Sequence, residues 1–331
     1  MEKTCGMCDS STLVATTETF NLADILHRWE REAQVTFTDS VWQQYTQPSS
    51  PDVTLYRCSK CGFAIFYPQF AGSSDFYASI TTSDGSCYTE DKWEFRQAIK
   101  DLRRHRCRRV LDIGCGSGYF LDLLRNRLPH VETFGFEFNS EMANLVRSKG
   151  HNVFDGASPE VLLNSRNAEP FDAVCIFQML EHVSDPVRLV RTAQRLLKPG
   201  GVLILAVPDN AGPVKYFATA LTELPPHHLS RWRASTFRAA LPRLGFDVQR
   251  IAHEPLPAFL WKDYLPVILD HSGLAKFIIA GLKKNDRLVR VLNHLPLKWL
   301  YGVRGHSVYV VAKKTGEQSQ TVIDDLAGER A

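Results

Sequence analysis

Short apolar runs alternate with amphipathic stretches through the centre of this chain of 331 residues. The runs are rich in β-branched and aromatic residues, which is typical of buried strands in a parallel sheet. Between them, apolar residues recur at helical spacing. The predicted strands are, in order, "RVLDI", "ETFGFE", "HNVFDG", "FDAVCIF", "VLILAV", "FDVQRIA" and "HSVYVVAKK". This alternation predicts a doubly wound α/β fold.

The helix predicted after the fourth strand has well-marked ends. Asp185 and Pro186 form an N-cap and first-turn pair, and Pro199, Gly200 and Gly201 stop the helix before the fifth strand. Its apolar residues follow one face, so we expect it to pack on the sheet.

An insertion at about residues 254–303 separates the sixth strand from the seventh. It is apolar at helical intervals and basic in its second half. We expect a helical cap over a ligand pocket or a dimer face, and peripheral membrane contact is the sharper alternative. The closing strand, residues 306–314, is expected to run antiparallel at the sheet edge. A polar, disordered tail is predicted for residues 315–331.

Three alternating glycines follow the first of these strands in "RRVLDIGCGSGYF". Gly114, Gly116 and Gly118 lack a Cβ, so a ligand can approach the backbone closely, and the next helix directs free N–H groups towards it. The alternative is a structural turn without a ligand. The dinucleotide fingerprint is G-x-G-x-x-G, whereas this chain has D-x-G-x-G-x-G from Asp112. A dinucleotide and S-adenosylmethionine both remain in question on these residues alone.

Acidic residues end the next two strands. Glu137 lies 21 positions after Gly116, where a carboxylate can accept hydrogen bonds from the two ribose hydroxyls of an adenosine ligand. Asp155 ends the third strand, and it is predicted either to contact an adenine amino group or to cap a helix.

Two C-x-x-C pairs near the amino terminus predict a structural zinc site. The four cysteines are Cys5, Cys8, Cys58 and Cys61. Four thiolates complete a tetrahedral site with no open position. Reduced thiols without metal are the alternative. We therefore predict a zinc-binding module and linker over residues 1–84, with a helix around "NLADILHRWEREA", and a second domain over residues 85–314.

Histidines supply the predicted acid–base chemistry. His182 follows the fourth strand, at the edge where α/β sheets bind ligands, and it either lines the ligand site, accepts a proton or caps a helix. His227 and His228 follow two prolines in "ELPPHHLSRW". Because imidazole titrates near neutral pH, His228 is the preferred base. Glu181 is expected to orient a histidine or cap a helix, and Tyr88 to contact a cationic ligand or pack.

Composition restricts the partners and the location. The chain has a net charge of +3, with 44% hydrophobic and 23% charged residues. This charge is too mild to predict nucleic-acid binding. The amino terminus does not resemble a signal peptide, and no run of 18 apolar residues occurs, so we expect a cytoplasmic protein.

The glycine turn resembles motif I of class I S-adenosylmethionine-dependent methyltransferases, and "LEHVSDP" and "LLKPGG" resemble their later motifs. The resemblance spans roughly residues 85–255. It implies a Rossmann-like seven-stranded methyltransferase sheet and favours S-adenosylmethionine over a dinucleotide. The residues expected to bind it are Asp112, Gly114, Gly116, Gly118, Glu137, Phe138, Asp155, Gln178 and Tyr88.

The paired cysteines, the "KWEF" helix and "PPHHLSRW" resemble bacterial sugar and natural-product methyltransferases with an amino-terminal zinc module. This implies methyl transfer to a small metabolite or sugar-linked acceptor, in a monomer or homodimer. The alternatives are an RNA or protein methyltransferase that grips its substrate with the zinc module, and a non-catalytic scaffold that binds S-adenosylmethionine.

Overall fold

The structure is a computed structural model, and it describes residues 3–10, 12–47, 49, 51–81, 92–164, 169–256, 264 and 304–316. Three predictions therefore fall outside the described residues: the contact by Tyr88, almost all of the insertion, and the tail beyond residue 316. None of the helices in the described ranges combines the length and the apolar character that crossing a membrane requires.

The amino-terminal module contains three antiparallel strands and three helices. They are β1 (Leu13–Asn21), α1 (Leu22–Glu32), α2 (Asp39–Thr46), β2 (Asp52–Cys58), β3 (Ala64–Tyr67) and α3 (Ser74–Thr81). The helix predicted near residue 21 is confirmed as α1, and the side chain of Asn21 caps it by accepting from Ala23 N at 3.1 Å. Its buried face, which includes Trp29, packs in the module core.

Helix α3 occupies a segment that the sequence indicated as a linker, so that prediction was wrong for residues 74–81. Phe76 is fully buried in the module core and stacks on Phe37 with ring centroids 5.5 Å apart. The hydroxyl of Tyr45 donates to the carbonyl of Ala71 at 2.7 Å. The single buried aromatic ring outweighs the Gly, Ser and Asp residues around it.

The second part of the chain alternates strands with helices. Its elements are α4 (Trp93–Arg104), β4 (Arg109–Ile113), α5 (Tyr119–Arg127), β5 (Glu132–Glu137), α6 (Ser140–Ser148), β6 (Asn152–Asp155), β7 (Phe171–Phe177), α7 (Pro186–Leu196), β8 (Leu197–Pro208), β9 (Ser230–Arg231), α8 (Ala234–Arg243), β10 (Phe246–Pro255) and β11 (Arg304–Lys314). Short 3₁₀ turns cover Pro159–Asn164, Pro213–Phe217 and Leu221–Glu223.

Seven of these strands form the central sheet, in the order β6-β5-β4-β7-β8-β11-β10. The five strands from β6 to β8 are parallel, and the order reverses direction between β4 and β7. The predicted seven-stranded, doubly wound α/β sheet is therefore confirmed. Ligands bind such sheets at the carboxyl ends of the strands, beside the point where the order reverses.

The last strand is antiparallel as predicted, but its predicted position at the sheet edge was wrong. Strand β11 lies between β8 and β10, and β10 is the edge strand. The apolar run in β11 is buried without interruption from Ser307 to Ala312, whereas β10 is mostly half-buried. An unbroken apolar run is typical of a strand covered on both faces, and this signal favoured the interior position.

The short strand β9 joins the two parts of the molecule. It pairs antiparallel with β3 of the amino-terminal module, Ala64 opposite Arg231 and Ile65 opposite Ser230. The carbonyl of Cys61 also accepts hydrogen bonds from the hydroxyls of Ser235 and Thr236 at 2.7 and 3.2 Å. The module sheet is thus completed by the segment that follows the histidine pair.

Candidate active site

The glycine turn joins β4 to α5 at the carboxyl edge of the central sheet. Gly114, Gly116 and Gly118 have φ angles of 79°, 52° and 79°, a region that residues with a Cβ enter at a cost. A Cβ on Gly118 would lie 2.7 Å from Cγ1 of Val146. The predicted strand, turn and helix are confirmed, and packing as well as backbone conformation requires glycine at residue 118.

Two acidic side chains flank the turn and differ in how they are held. Glu137 Oε2 accepts from the N–H of Gly116 at 2.7 Å, while its Oε1 accepts from the N–H groups of Phe138 and Asn139 at 2.9 and 3.0 Å. Asp112 is buried, and its Oδ1 has no hydrogen-bond partner among the described residues. Burial, and next the charge of Glu137, raises the pKa of Asp112 to about 8. A buried oxygen without a partner at this edge fits a ligand that brings a hydrogen-bond donor.

Two further residues predicted to contact the cofactor lie near Glu137. Asp155 ends β6 directly opposite Glu137, accepts from Ser140 Oγ at 2.8 Å and pairs with Arg147. The hydrogen bond from Arg147 lowers the pKa of Asp155. Phe138 packs edge to face on another ring at a centroid distance of 5.1 Å. The carboxylate of Asp155 already has protein partners, so its predicted adenine contact must compete with them.

Gln178 follows β7 with a positive φ of 50°. Its amide donates to Glu94 Oε1 at 3.0 Å and to Ser307 Oγ at 3.1 Å. A residue other than glycine in this conformation costs about 1–3 kcal/mol and is found mainly at functional sites. The structure therefore places Gln178 at the predicted edge, with its side chain bound to α4 and β11.

The three predicted catalytic histidines form one cluster after β7. The ring centroids of His182, His227 and His228 lie 4.7 Å from one another in all three pairs, and one ring nitrogen from each lies within 4.8 Å of the others. The backbone N–H of Leu229 donates to the carbonyl of Glu181 at 2.7 Å. This bond ties the histidine pair to the residues that follow β7.

Two of the histidines are oriented by backbone carbonyls. His182 Nδ1 lies 2.7 Å from the carbonyl of His227 and 3.0 Å from the hydroxyl of Tyr77. His227 Nδ1 lies 3.1 Å from the carbonyl of Thr222. Burial lowers the pKa of His182 well below its usual value and, with the nearby His228, that of His227 to about 3. Both rings are neutral and are weak bases.

His228 differs because a buried carboxylate lies beside it. Its Nδ1 is 3.4 Å from Glu223 Oε1, and Glu223 Oε2 accepts from Asn210 Nδ2 at 2.9 Å. Burial opposes the charged imidazolium, but the charge of Glu223 outweighs this effect and raises the pKa of His228. Of the three histidines, His228 has the pKa that best suits proton exchange near neutral pH.

Three functional candidates in this cluster were missed or left open by the sequence. Glu223 precedes the histidine pair in "LTELPPHH", so an acidic residue close to it was an available signal. Tyr77 lay in the supposed linker and had no signal. Glu181 was expected to orient a histidine or cap a helix. It is 1% exposed, neither carboxylate oxygen has a hydrogen-bond partner among the described residues, and burial raises its pKa to about 7.

The four paired cysteines converge as predicted. Cys5 Sγ lies 3.7 Å from Cys61 Sγ, Cys8 Sγ lies 3.5 Å from Cys58 Sγ, and all four sulfurs lie within 4.8 Å of one another. Disulfide bonds are much shorter, at about 2.05 Å. Zinc–sulfur bonds of about 2.3 Å place tetrahedral sulfurs about 3.8 Å apart. The donor set and spacing therefore fit a zinc ion.

Comparison with known proteins identifies the central part of the chain. Residues 90–251 match the family model described as "Methyltransferase domain". A probable S-adenosylmethionine-dependent methyltransferase of Mycolicibacterium smegmatis is 29% identical over 166 residues, which are 48% of this chain and 62% of that protein. A ubiquinone biosynthesis O-methyltransferase of Dinoroseobacter shibae is 29% identical over 223 residues, 66% of this chain and 78% of that protein. The central part of this chain is therefore a methyltransferase domain.

A solved structure of a similar fold is an S-adenosylmethionine-dependent methyltransferase from Archaeoglobus fulgidus. It is 22% identical, with a TM-score of 0.43, and the match covers 66% of this chain and 94% of that chain. The fold assignment stands on the strand order described above and does not depend on this likeness.

Proposed function

We propose that this protein, whose central part is a methyltransferase domain, transfers a methyl group from S-adenosylmethionine to a small metabolite or sugar-linked acceptor. The observation that carries the proposal is the pair of carboxylates at the glycine turn. Glu137 is fixed by three backbone N–H groups, and Asp112 presents a buried oxygen with no partner among the described residues. A polar adenosine ligand would satisfy both.

The task of the chain is mainly alignment. The bound sulfonium supplies a methyl group that is already activated towards a nucleophile. The positive-φ glycines let the ligand lie against the backbone, and Glu137 is placed to accept from ribose hydroxyls. Positioning of this kind can contribute about 7–11 kcal/mol to lowering a barrier.

His228 is proposed as the base that removes the proton from the acceptor. The support is its contact with Glu223, an acid–histidine pair of the kind that orients and strengthens an imidazole base. His182 and His227 are proposed to shape the acceptor side, because burial leaves them neutral. The name of the Dinoroseobacter relative, an O-methyltransferase of ubiquinone biosynthesis, supports a small acceptor methylated on oxygen. Methylation of carbon instead would need a neighbouring carbonyl in the acceptor.

We also propose that Cys5, Cys8, Cys58 and Cys61 hold a structural zinc ion. Four sulfur ligands leave no open position, so the ion would stabilise the module and take no part in the reaction. The bonds from Ser235 and Thr236 to Cys61 connect this site to the start of α8, close to the histidine pair.

Calorimetry tests the proposed donor directly. We expect the full chain to bind S-adenosylmethionine and its demethylated product at micromolar concentration, and nicotinamide dinucleotides at least about 100-fold more weakly. Binding of dinucleotides in preference to both sulfur compounds would refute the proposal. Incubation of small-molecule extracts with isotope-labelled donor, followed by mass spectrometry, would then identify the acceptor. Label that appears only in RNA or protein would exclude the acceptor class.

A further inference from the structure

Three arginines gather on the amino-terminal module, away from the glycine turn and the histidine cluster. Arg57 lies on β2 and Arg231 on β9, and both are opposite Ala64 on the strand between them. Paired residues of antiparallel strands share one face of the sheet, so the two arginines lie on the same face about 10 Å apart. The small side chain of Ala64 leaves space between them.

Arg233 enters the same group from the start of α8. A Cβ placed on Gly62 would lie 2.4 Å from Cδ of Arg233, so the arginine side chain crosses directly over this glycine. Burial, followed by the positive charge of Arg233, lowers the pKa of Arg57, and the charge of Arg231 acts in the same direction. The three guanidinium groups are therefore electrostatic neighbours.

The acidic residues of the described chain do not balance this charge. Arg231 pairs with Glu18 at 2.6 Å and donates to the carbonyl of Ala218 at 2.7 Å. Arg57 and Arg233 have no ion pair or side-chain hydrogen bond within the part of the chain that the structure describes. Three positive charges less the one of Glu18 leave two in excess.

Buried donors point to a missing acceptor. The side chain of Arg231 is 4% exposed, yet its Nε has no hydrogen-bond partner in the described ranges, and neither has the buried Nε of Arg233. Buried N–H groups are nearly always paired, because an unpaired one loses its bond to water. Both atoms lie in the same group of excess positive charge.

The cysteine cluster does not supply the missing charge. The charges that act on Arg57 are those of Arg233, Glu18 and Arg231, and no cysteine is among them. The row of paired residues to which Arg57 belongs also reaches solvent, since Val14 opposite it is 53% exposed. An anion therefore has access from outside the protein.

We propose that Arg57, Arg231 and Arg233 form a binding site for a phosphate-class anion. A phosphate carries a charge of about −1.5 to −2 at neutral pH, which matches the two excess positive charges better than a single carboxylate does. Its oxygens accept from several guanidinium groups at once, the geometry for which arginine is best suited. The site is independent of the proposed methyl transfer, and it lies three residues beyond His228 along the chain.

Titration calorimetry of the full chain in chloride buffer, with inorganic phosphate and with pyrophosphate, tests this site. The double variant Arg57→Gln and Arg233→Gln should bind at least about tenfold more weakly. The variant Arg238→Gln, an exposed arginine on the same helix as the Arg233 cap, should bind like the parent. Pyrophosphate binding more tightly than phosphate would identify a diphosphate group, and equal binding a single phosphate; either result supports the site.

Thermal denaturation separates anion binding from a structural role. Without phosphate, Arg57→Gln should melt no lower than the parent, because it removes repulsion between like charges. Phosphate should then raise the melting temperature of the parent more than that of the variant. The proposal is overturned if neither anion binds the parent, if the double variant binds equally well, or if phosphate raises both melting temperatures equally.

Discussion

The glycine turn and the histidine cluster lie at the same edge of one sheet, but they are assembled from different lengths of chain. The glycine side takes its groups from the single stretch between Asp112 and Asp155. The histidine side brings Tyr77 of the amino-terminal module to His182, and Glu223 to His228. The first is therefore a property of one local motif, and the second depends on how two parts of the molecule dock.

This difference implies separate sensitivities. The glycine side rests on strands β4 and β5, which are paired in parallel along their full length. The histidine side rests on β9, which has two residues and is held by pairing with β3 and by the bonds to Cys61. Perturbing the cysteine cluster should therefore damage acceptor chemistry before donor binding.

Removal of a zinc ligand should have the largest effect. We expect Cys58→Ser to lose zinc and methyl transfer altogether, because a structural zinc ion contributes about 10–16 kcal/mol, comparable to the total stability of a domain. If the two sides are separable, S-adenosylmethionine binding should persist within about tenfold. Metal analysis, calorimetry and hydrogen exchange would follow the three properties.

The control for this variant is Cys107→Ala. Cys107 is also a buried cysteine but packs in the cluster with Leu102 and Val110, away from the other four sulfurs. It should keep one zinc ion per chain while losing some stability. Equal loss of donor binding and methyl transfer in Cys58→Ser, with protection lost in β4 as well as β9, would show that the two sides are not separable.

Substitution at the glycine turn should have the opposite profile. Gly118→Ala combines a φ of 79° with a Cβ 2.7 Å from Val146, so the turn must shift. We expect S-adenosylmethionine to bind at least about 100-fold more weakly, a loss of about 2.7 kcal/mol, while zinc is retained. Calorimetry with metal analysis measures both.

Gly150→Ala is the matched control for the backbone. Its φ is 81°, but the nearest atom to an added Cβ is 3.9 Å away, on Arg125. Both alanine variants should lose about 1 kcal/mol of unfolding free energy from the positive φ. Only Gly118→Ala should lose donor affinity; an equal loss in Gly150→Ala would mean that backbone strain alone is responsible.

The same contrast explains what could be predicted from the sequence. Glu137 could be placed beside the turn because both follow consecutive parallel strands, whose ends meet at one edge. Nothing local indicated that Tyr77 would reach His182, since that contact spans 105 residues and depends on the docking of α3. The grouping of Arg57 with Arg231 depends likewise on the pairing of β9 with β3. Contacts between distant segments leave no spacing pattern.

Glu223→Gln tests the acid–base pair on the histidine side. The pKa of His228 is raised chiefly by Glu223 against the effect of burial, so loss of this charge should lower it. A base acts when unprotonated, so activity falls as the pH drops through its pKa. The acidic limb of the kcat profile should move to lower pH, and kcat should fall about 10²-fold.

The matched change is Glu160→Gln. Glu160 also pairs with a cation, Arg188, but that pair is at the surface, where ion pairs contribute at most about 1 kcal/mol. The pH profile of this variant should equal that of the parent. An unshifted acidic limb in Glu223→Gln would remove His228 from the role of base.

Tyr77→Phe should have the smallest effect and addresses the docking of the two parts most directly. It removes the hydroxyl that lies 3.0 Å from His182 Nδ1. One hydrogen bond contributes about 0.5–1.5 kcal/mol, so we expect kcat to fall about two- to tenfold with donor affinity unchanged. Tyr45→Phe is the control, because it removes a hydroxyl bonded to Ala71 inside the module core. It should lower the melting temperature and leave kcat unchanged. If the two variants lose kcat equally, the module affects the histidines only through its stability and Tyr77 has no positioning role.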